Sequence, residues 1–218
     1  MVPAPHHRMN RHGPPRRAAR WGRVAASAAA GYGAGMVPSA DVAAKLASGG
    51  HIDLREHGSG NPGGANAMAV LGPGWGYGVM AADIAKGAVA SRIGRRLAGD
   101  TGQHLAGFAA VVGHCYPMTK GFRGGKGVGC SIGQCLATFP AYLPVDVAVA
   151  AAVAAGPWRQ RAFTATAVSS AVWVATSALW WRRGWPNAWG GPPTIGLPIA
   201  AAASSAVIFQ RFRAAQRT

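Results

Sequence analysis

The chain has 218 residues, half of them hydrophobic and only 13% charged, which is too much apolar side chain for disorder driven by charge. Twenty-two Lys and Arg oppose six Asp and Glu, for a formal net charge of +16 that suits nucleic acid or an anionic membrane. The charges fall in short clusters between long uncharged stretches instead of spreading along a face, so membrane lipid, and no nucleic acid, is the expected partner.

Residues 1–23 carry six arginines, four prolines and three histidines without apolar periodicity and read as a flexible basic tail. In such a setting His6, His7 and His12 are solvated side chains, not a metal tract. Beyond the tail, no Asp, Glu, Lys or Arg occurs in 57–82, 101–119, 127–145, 162–181 or 184–210. Each gap is about 20 residues, the length a helix needs to cross a bilayer core. A first membrane helix is expected over 24–46, interrupted near Pro38. A polar, glycine-rich loop over 48–68 belongs at the interface. A second span over 72–91, with Asp83 and Lys86 inside it, leads to a basic turn at Arg92, Arg95 and Arg96, and a short third span covers 101–113.

A second glycine-rich segment, 113–129, precedes an apolar run to Val145. Further spans are expected over 146–157, 162–181 and 194–210, the first of them tilted, re-entrant or merged because it is too short to cross upright. Tryptophans interleaved with arginines over 180–193 have the makeup of an interfacial belt. The expected fold is all-α: one polytopic membrane domain over 24–213 with six or seven transmembrane helices, then a short tail, 214–218. Mean hydropathy is only +0.12, since much of the apolar content is Ala and Gly. Small residues nonetheless let helix backbones approach closely inside a membrane. Cys115, Cys130 and Cys135 lack a CxxC spacing and a histidine pair, which points to small apolar fillers and no metal site.

Lys and Arg counts on alternate loops are nearly balanced and do not orient the chain. Two spans separate the glycine-rich loops, however, so both emerge on one face. The first, Gly58-Ser59-Gly60-Asn61-Pro62-Gly63-Gly64-Ala65-Asn66, offers unshielded backbone N–H groups, a hydroxyl and two amides ahead of a helix, a setting that suits phosphate. By itself it reads equally well as a tight turn at the membrane surface. The second gathers Lys120, Arg123 and Lys126 around Gly124, Gly125 and Gly127, so that cations and amides converge on an anion. It is not a Walker A loop, because Gly127 stands where Ser or Thr is required. Asp83 and Lys86, at i, i+3, are expected to pair. His114 sits at the entrance to the second loop, where it orients the loop or donates to a phosphate.

Four blocks in order resemble the bacterial membrane acyl-phosphate:glycerol-3-phosphate acyltransferases, the PlsY family. Gly35-Met36-Val37-Pro38-Ser39 is similar to the close of that family's first helix. Asp53-Leu54-Arg55-Glu56-His57 and the first glycine loop resemble its first motif. Asp83-Ile84-Ala85-Lys86-Gly87 resembles its D-x-x-K-G helix. Gly113-His114 to Pro117, with Phe122-Arg123-Gly124-Gly125-Lys126-Gly127-Val128, resembles its second motif. The match covers about half the chain. Ala69 stands where the first motif continues to an arginine, and residues 209–218 have no clear counterpart of the C-terminal motif.

The resemblance implies transfer of a fatty acyl group from acyl phosphate to the 1-hydroxyl of glycerol 3-phosphate, giving lysophosphatidic acid and phosphate. It implies catalytic roles for Lys126, Ser59 and His114, and substrate contacts from Ser39, Gly60, Asn61, Gly63, Asn66, Arg123, Gly124, Gly125 and Gly127. No cofactor and no metal are expected. It further implies a multi-pass protein of the bacterial inner membrane with its site facing the cytoplasm. The rival expectations are a degenerate homologue that binds phosphate-bearing lipid without turnover, motivated by Ala69 and the altered tail, and a small-anion transporter, which an inverted repeat would mark.

Overall fold

The computed structural model describes residues 15–157, 161–188 and 191–215. Among these residues all regular structure is helical: α1 (Pro15–Gly35), α2 (Ser39–Ser48), α3 (Gly64–Leu71), α4 (Pro73–Cys115), α5 (Val128–Thr138), α6 (Leu143–Ala154), α7 (Arg161–Arg183) and α8 (Gly196–Ala214), with short 3-10 turns at Met118–Lys120 and Pro140–Tyr142. His6, His7 and His12 lie outside the described residues.

α1 starts at Pro15, so residues 15–23 are helical and not part of a tail. Proline is at home in a first turn, and the Ala and Arg that follow are strong helix formers. The expected interruption near Pro38 is present: α1 closes at Gly35, and α2 begins at Ser39.

α4 is a hairpin of two helical arms, 73–97 and 100–115, joined at Ala98 and Gly99. Gly99 has φ +62°, a left-handed conformation that favours glycine. The expected spans over 72–91 and 101–113 are these two arms. Arg92, Arg95 and Arg96 form no turn; they continue the first arm helically, and Arg95 reaches the Gln103 side chain at 3.2 Å. Arginine extends a helix readily, and the reversal waits for the residue that tolerates positive φ.

Close backbone contact holds the arms and their neighbours together. A Cβ on Gly94 would strike the Gly102 carbonyl, and one on Gly102 would strike that of Gly94. α1 meets the second arm through Gly31 and Gly35, which lie against the carbonyls of Ala106 and Ala110. α5 meets the first arm through Gly87 against Cys130 and Gly133 against Ile84. These seams of small residues are how helices associate where no hydrophobic force separates lipid from protein.

The apolar run to Val145 is not one helix. α5 ends at Thr138, and the following segment turns by 114° at Phe139 and Pro140, since Pro140 has no N–H to continue the ladder. Phe139, Tyr142, Trp173, Leu197 and Ala201 form a buried cluster there, and the Tyr142 hydroxyl donates to the Ser169 carbonyl at 2.8 Å. α8 is tied to α5 where Ser204 donates to Gln134 at 2.8 Å. The three cysteines are buried and unpaired, two of them in the core beneath the second glycine loop. Among the described residues, one helix, Ala162–Arg183, is long and apolar enough to span a membrane by itself, and the two segments bent about Pro140 are so only when taken together. The other helices are diluted by Ala, Gly and interior charges such as Asp83 and Lys86. Trp180 and Trp185 stack edge to face at 4.7 Å, and Arg183 lies over Trp185.

Candidate active site

The two glycine-rich loops meet. Arg55, in the first, donates through Nε to the carbonyl of Arg123, in the second, at 3.0 Å. Asp41 on α2 joins them again, with Arg55 at 2.6 Å and Lys120 at 2.9 Å from its carboxylate. Burial by itself pushes the Asp41 carboxyl up, but the hydrogen bonds and charges of Arg55 and Lys120 outweigh it and hold the group below its ordinary value.

The first loop is organised from within by Asn66. Its Oδ1 accepts the Ser59 N–H at 2.8 Å, and its Nδ2 donates to the carbonyls of Leu54 and His57, both at 2.9 Å. The side chain is buried. Asn66, expected to contact substrate, instead shapes the turn that presents Ser59, Gly60 and Asn61 to solvent. Gly58 and Gly60 take φ +61° and +66°, and a Cβ on Gly58 would strike the Asn66 amide. Gly63 caps α3 and packs against Asn61.

In the second loop, the N–H of Gly124 donates to Cys115 and that of Gly125 to His114, at 3.2 and 3.1 Å. The His114 ring covers Gly125 so closely that a Cβ there would strike its Nε2. Gly127 has φ +87° and starts α5. The residues expected to converge around Gly124 and Gly125 do not all point one way. Arg123 and Gly124 face the first loop, while Lys126 is half-buried with its ammonium 4.7 Å from the ring centre of Phe212 on α8. Burial, and after it the charge on Arg211, pushes the Lys126 pKa below the usual lysine value.

Beneath the loops is a charged floor. Asp83 and Lys86 pair at 2.9 Å, as expected, and the Lys86 ammonium also donates to the Val37 carbonyl at 3.1 Å. Ser39 donates to the same Asp83 oxygen at 2.5 Å, and His114 Nδ1 lies 3.6 Å from it. Ser39 and His114, expected to act on substrate, are thus gathered around one carboxylate.

Two cavities open here. The smaller, of about 30 Å³, lies between Ser39, Asp41, Arg55, Lys86, His114 and Lys120. The larger, of about 320 Å³, is lined by Ser59, Gly60, Asn61, Arg123, Gly124 and Arg211 among others. Arg211 had no role in the sequence reading, although it lies in the last turn of α8. Its signal was a cation closing a long uncharged helix, with nothing in the spacing to say where that helix ends in space. Arg55, Asp41 and Lys120 were missed as a connected group because ion pairs between loops have no sequence period.

A fold that is all-helical among the described residues, with glycine-rich loops and several cations converging at one end, is a membrane architecture whose site favours anions. The glycerol-3-phosphate acyltransferase family model matches residues 25–217, and the chain belongs to that family. It is 46% identical over 110 residues to a glycerol-3-phosphate acyltransferase of Exiguobacterium sibiricum, covering 50% of this chain and 52% of the relative. It is 39% identical over 142 residues to the enzyme of that name from Symbiobacterium thermophilum, covering 65% of this chain and 69% of the relative. The matched segment thus spans about half of the first of these relatives and rather more of the second. Two solved structures share the fold. Both are of PlsY (YgiH), an integral membrane glycerol 3-phosphate acyltransferase. The glycerol 3-phosphate form has a TM-score of 0.66 at 25% identity over 87% of this chain and 89% of that one. The lysophosphatidic acid form has 0.67 at 24% over 88% of each.

Proposed function

We propose that this protein transfers a fatty acyl group from acyl phosphate to the 1-hydroxyl of glycerol 3-phosphate at a membrane surface, releasing lysophosphatidic acid and inorganic phosphate. The observation that carries the reading is the convergence of both glycine-rich loops on shared cavities bordered by Arg55, Arg123, Lys120 and Arg211. Both reactants are phosphate anions, and they repel each other in water. Cations and loop amides that hold both remove that repulsion and bring the hydroxyl to the acyl carbon.

The acyl carbon is already activated, so a covalent nucleophile on the protein is not required. The hydroxyl oxygen attacks the acyl carbonyl carbon, the bond from that carbon to the phosphate oxygen breaks, and the departing phosphate takes the hydroxyl proton. Charge grows on that phosphate as it leaves. Lys126, Arg123 and the amide of Gly127 are the groups proposed to stabilise it, the N–H groups of Gly124 and Gly125 being bonded to the carbonyls of Cys115 and His114, while Ser59, Gly60 and Asn61 orient the acceptor. Asp83 holds Ser39, Lys86 and His114 in place below. The acyl tail is assigned to the side of α5, where a mostly apolar cavity of about 120 Å³ is lined by Val128, the residue after the second loop, with Ile132, Trp173 and Ile208. In this reading the protein is a multi-pass inner-membrane enzyme with the loops on the cytoplasmic side.

Membranes containing the protein, supplied with acyl phosphate and glycerol 3-phosphate, are expected to form lysophosphatidic acid. Ser59→Ala and Lys126→Ala each lower kcat/KM by about 100-fold or more. Binding of acyl phosphate by the pure protein without product would support the degenerate-homologue reading instead.

A further inference from the structure

We infer that Arg211 is a phosphate ligand in the larger cavity, supplied from the far end of the chain, and that this inference rests on the acyltransferase reading above. Its guanidinium is already positioned. Nε donates to the Gly125 carbonyl at 3.1 Å and Nη2 to the Gly124 carbonyl at 2.6 Å, and the cation lies 5.2 Å from the Tyr116 ring centre. A guanidinium has five N–H donors. With two engaged, three remain for a ligand.

The charge, unlike the geometry, is unanswered. Arg55 and Lys120 are answered by Asp41 and Asp53 together, and Lys86 by Asp83. Among the described residues no carboxylate lies within ion-pair distance of Arg211; both recorded partners are neutral carbonyls. A cation fixed by backbone carbonyls, stacked on a ring and bordering a cavity of about 320 Å³ beside Ser59, Asn61 and Arg123 lacks only its anion. Position 69 on α3 is Ala and lines neither cavity, so that helix brings no cation to the site. The end of α8 brings one instead.

Arg211 therefore does two things together: it ties the carbonyls of Gly124 and Gly125, and it offers its remaining donors to a phosphate held against the first loop. That phosphate belongs either to glycerol 3-phosphate or to the acyl donor, and separate KM measurements distinguish them. The test uses Arg211→Gln and Arg211→Lys in the full chain. Inorganic phosphate is expected to raise the melting temperature of the detergent-purified wild type, and no rise would overturn the inference. Arg211→Gln is expected to lose that protection and to raise KM for one of the two substrates by about tenfold or more. Arg211→Lys keeps the charge without the paired carbonyl bonds and is expected to recover part of both. Unchanged phosphate protection and KM in Arg211→Gln would overturn the inference, as would a lysine variant no better than glutamine, which would leave only the clamp on the loop. Wild type that binds phosphate but makes no lysophosphatidic acid would remove the acyltransferase reading and leave the anion site standing.

Discussion

Asn66 shows how one side chain sets the shape of a loop. Its buried side chain satisfies one N–H and two carbonyls of the turn, fully shielded from water at the Leu54 carbonyl and partly at Ser59 and His57. Asn66→Ala removes all three bonds and leaves the Leu54 carbonyl buried without a partner, at about 1–3 kcal/mol for that group. The expected result is loss of acyl transfer with a lowered melting temperature, and Asn66→Asp, which keeps the acceptor and loses the donors, does not rescue it. Lys126 carries a second prediction. Burial and then Arg211 depress its pKa, so its charged form is lost as pH rises through a value below that of ordinary lysine. The charged form is the one that attracts phosphate, and the alkaline limb of the pH profile of kcat/KM is set there. Arg211→Gln removes one of the two causes and is expected to move that limb to higher pH, whatever it does to the absolute rate.

Between elements, the seams of small residues decide what the helices tolerate. A Cβ at Gly133 has nowhere to go but the Ile84 backbone, whereas one at Gly78 meets nothing. Gly133→Ala is expected to cost about 1–3 kcal/mol or more through forced separation of α4 and α5, and Gly78→Ala to gain up to about 1 kcal/mol of helix propensity. Melting of the purified variants in detergent checks both signs. Most of this layer was legible in the residues: the break near Pro38, the spans that became the arms of α4, and the placement of both loops on one face follow from charge gaps and proline. The hairpin tip at Gly99 was not, because nothing in the pattern separates it from 31 other glycines. Nor was the turn at Phe139, where buried aromatics hold a bend that an apolar run does not announce. Within the site, the Asp83–Lys86 pair was readable from its spacing, whereas Arg211 depends on how α8 crosses the molecule, which only packing decides.

At the scale of the whole molecule, Asp41 is the single carboxylate joining α2 to both loops. Its folded-state pKa is depressed, so the stability it contributes is fully present above its ordinary value of 3.8 and is lost as pH falls through the lower folded value. The group is partly exposed and the pairs are screened, which keeps the contribution within about 1 kcal/mol. Asp41→Asn is expected to lower the melting temperature slightly at pH 7, to flatten its fall below pH 4, and to weaken activity more than stability, since both loops lose their common partner.

The reversal at Ala98 and Gly99 has a geometric corollary. Lys86 and Asp83 ride on one arm of α4 and His114 on the other, and they face each other only because the strandless hairpin between them contains no slack. One alanine inserted beside that tip, between Asp100 and Thr101 in the helical second arm, turns every residue beyond it by about 100° about the arm's axis. His114 then swings away from Asp83, and the floor beneath the two loops comes apart through a change of register at the opposite end of the hairpin.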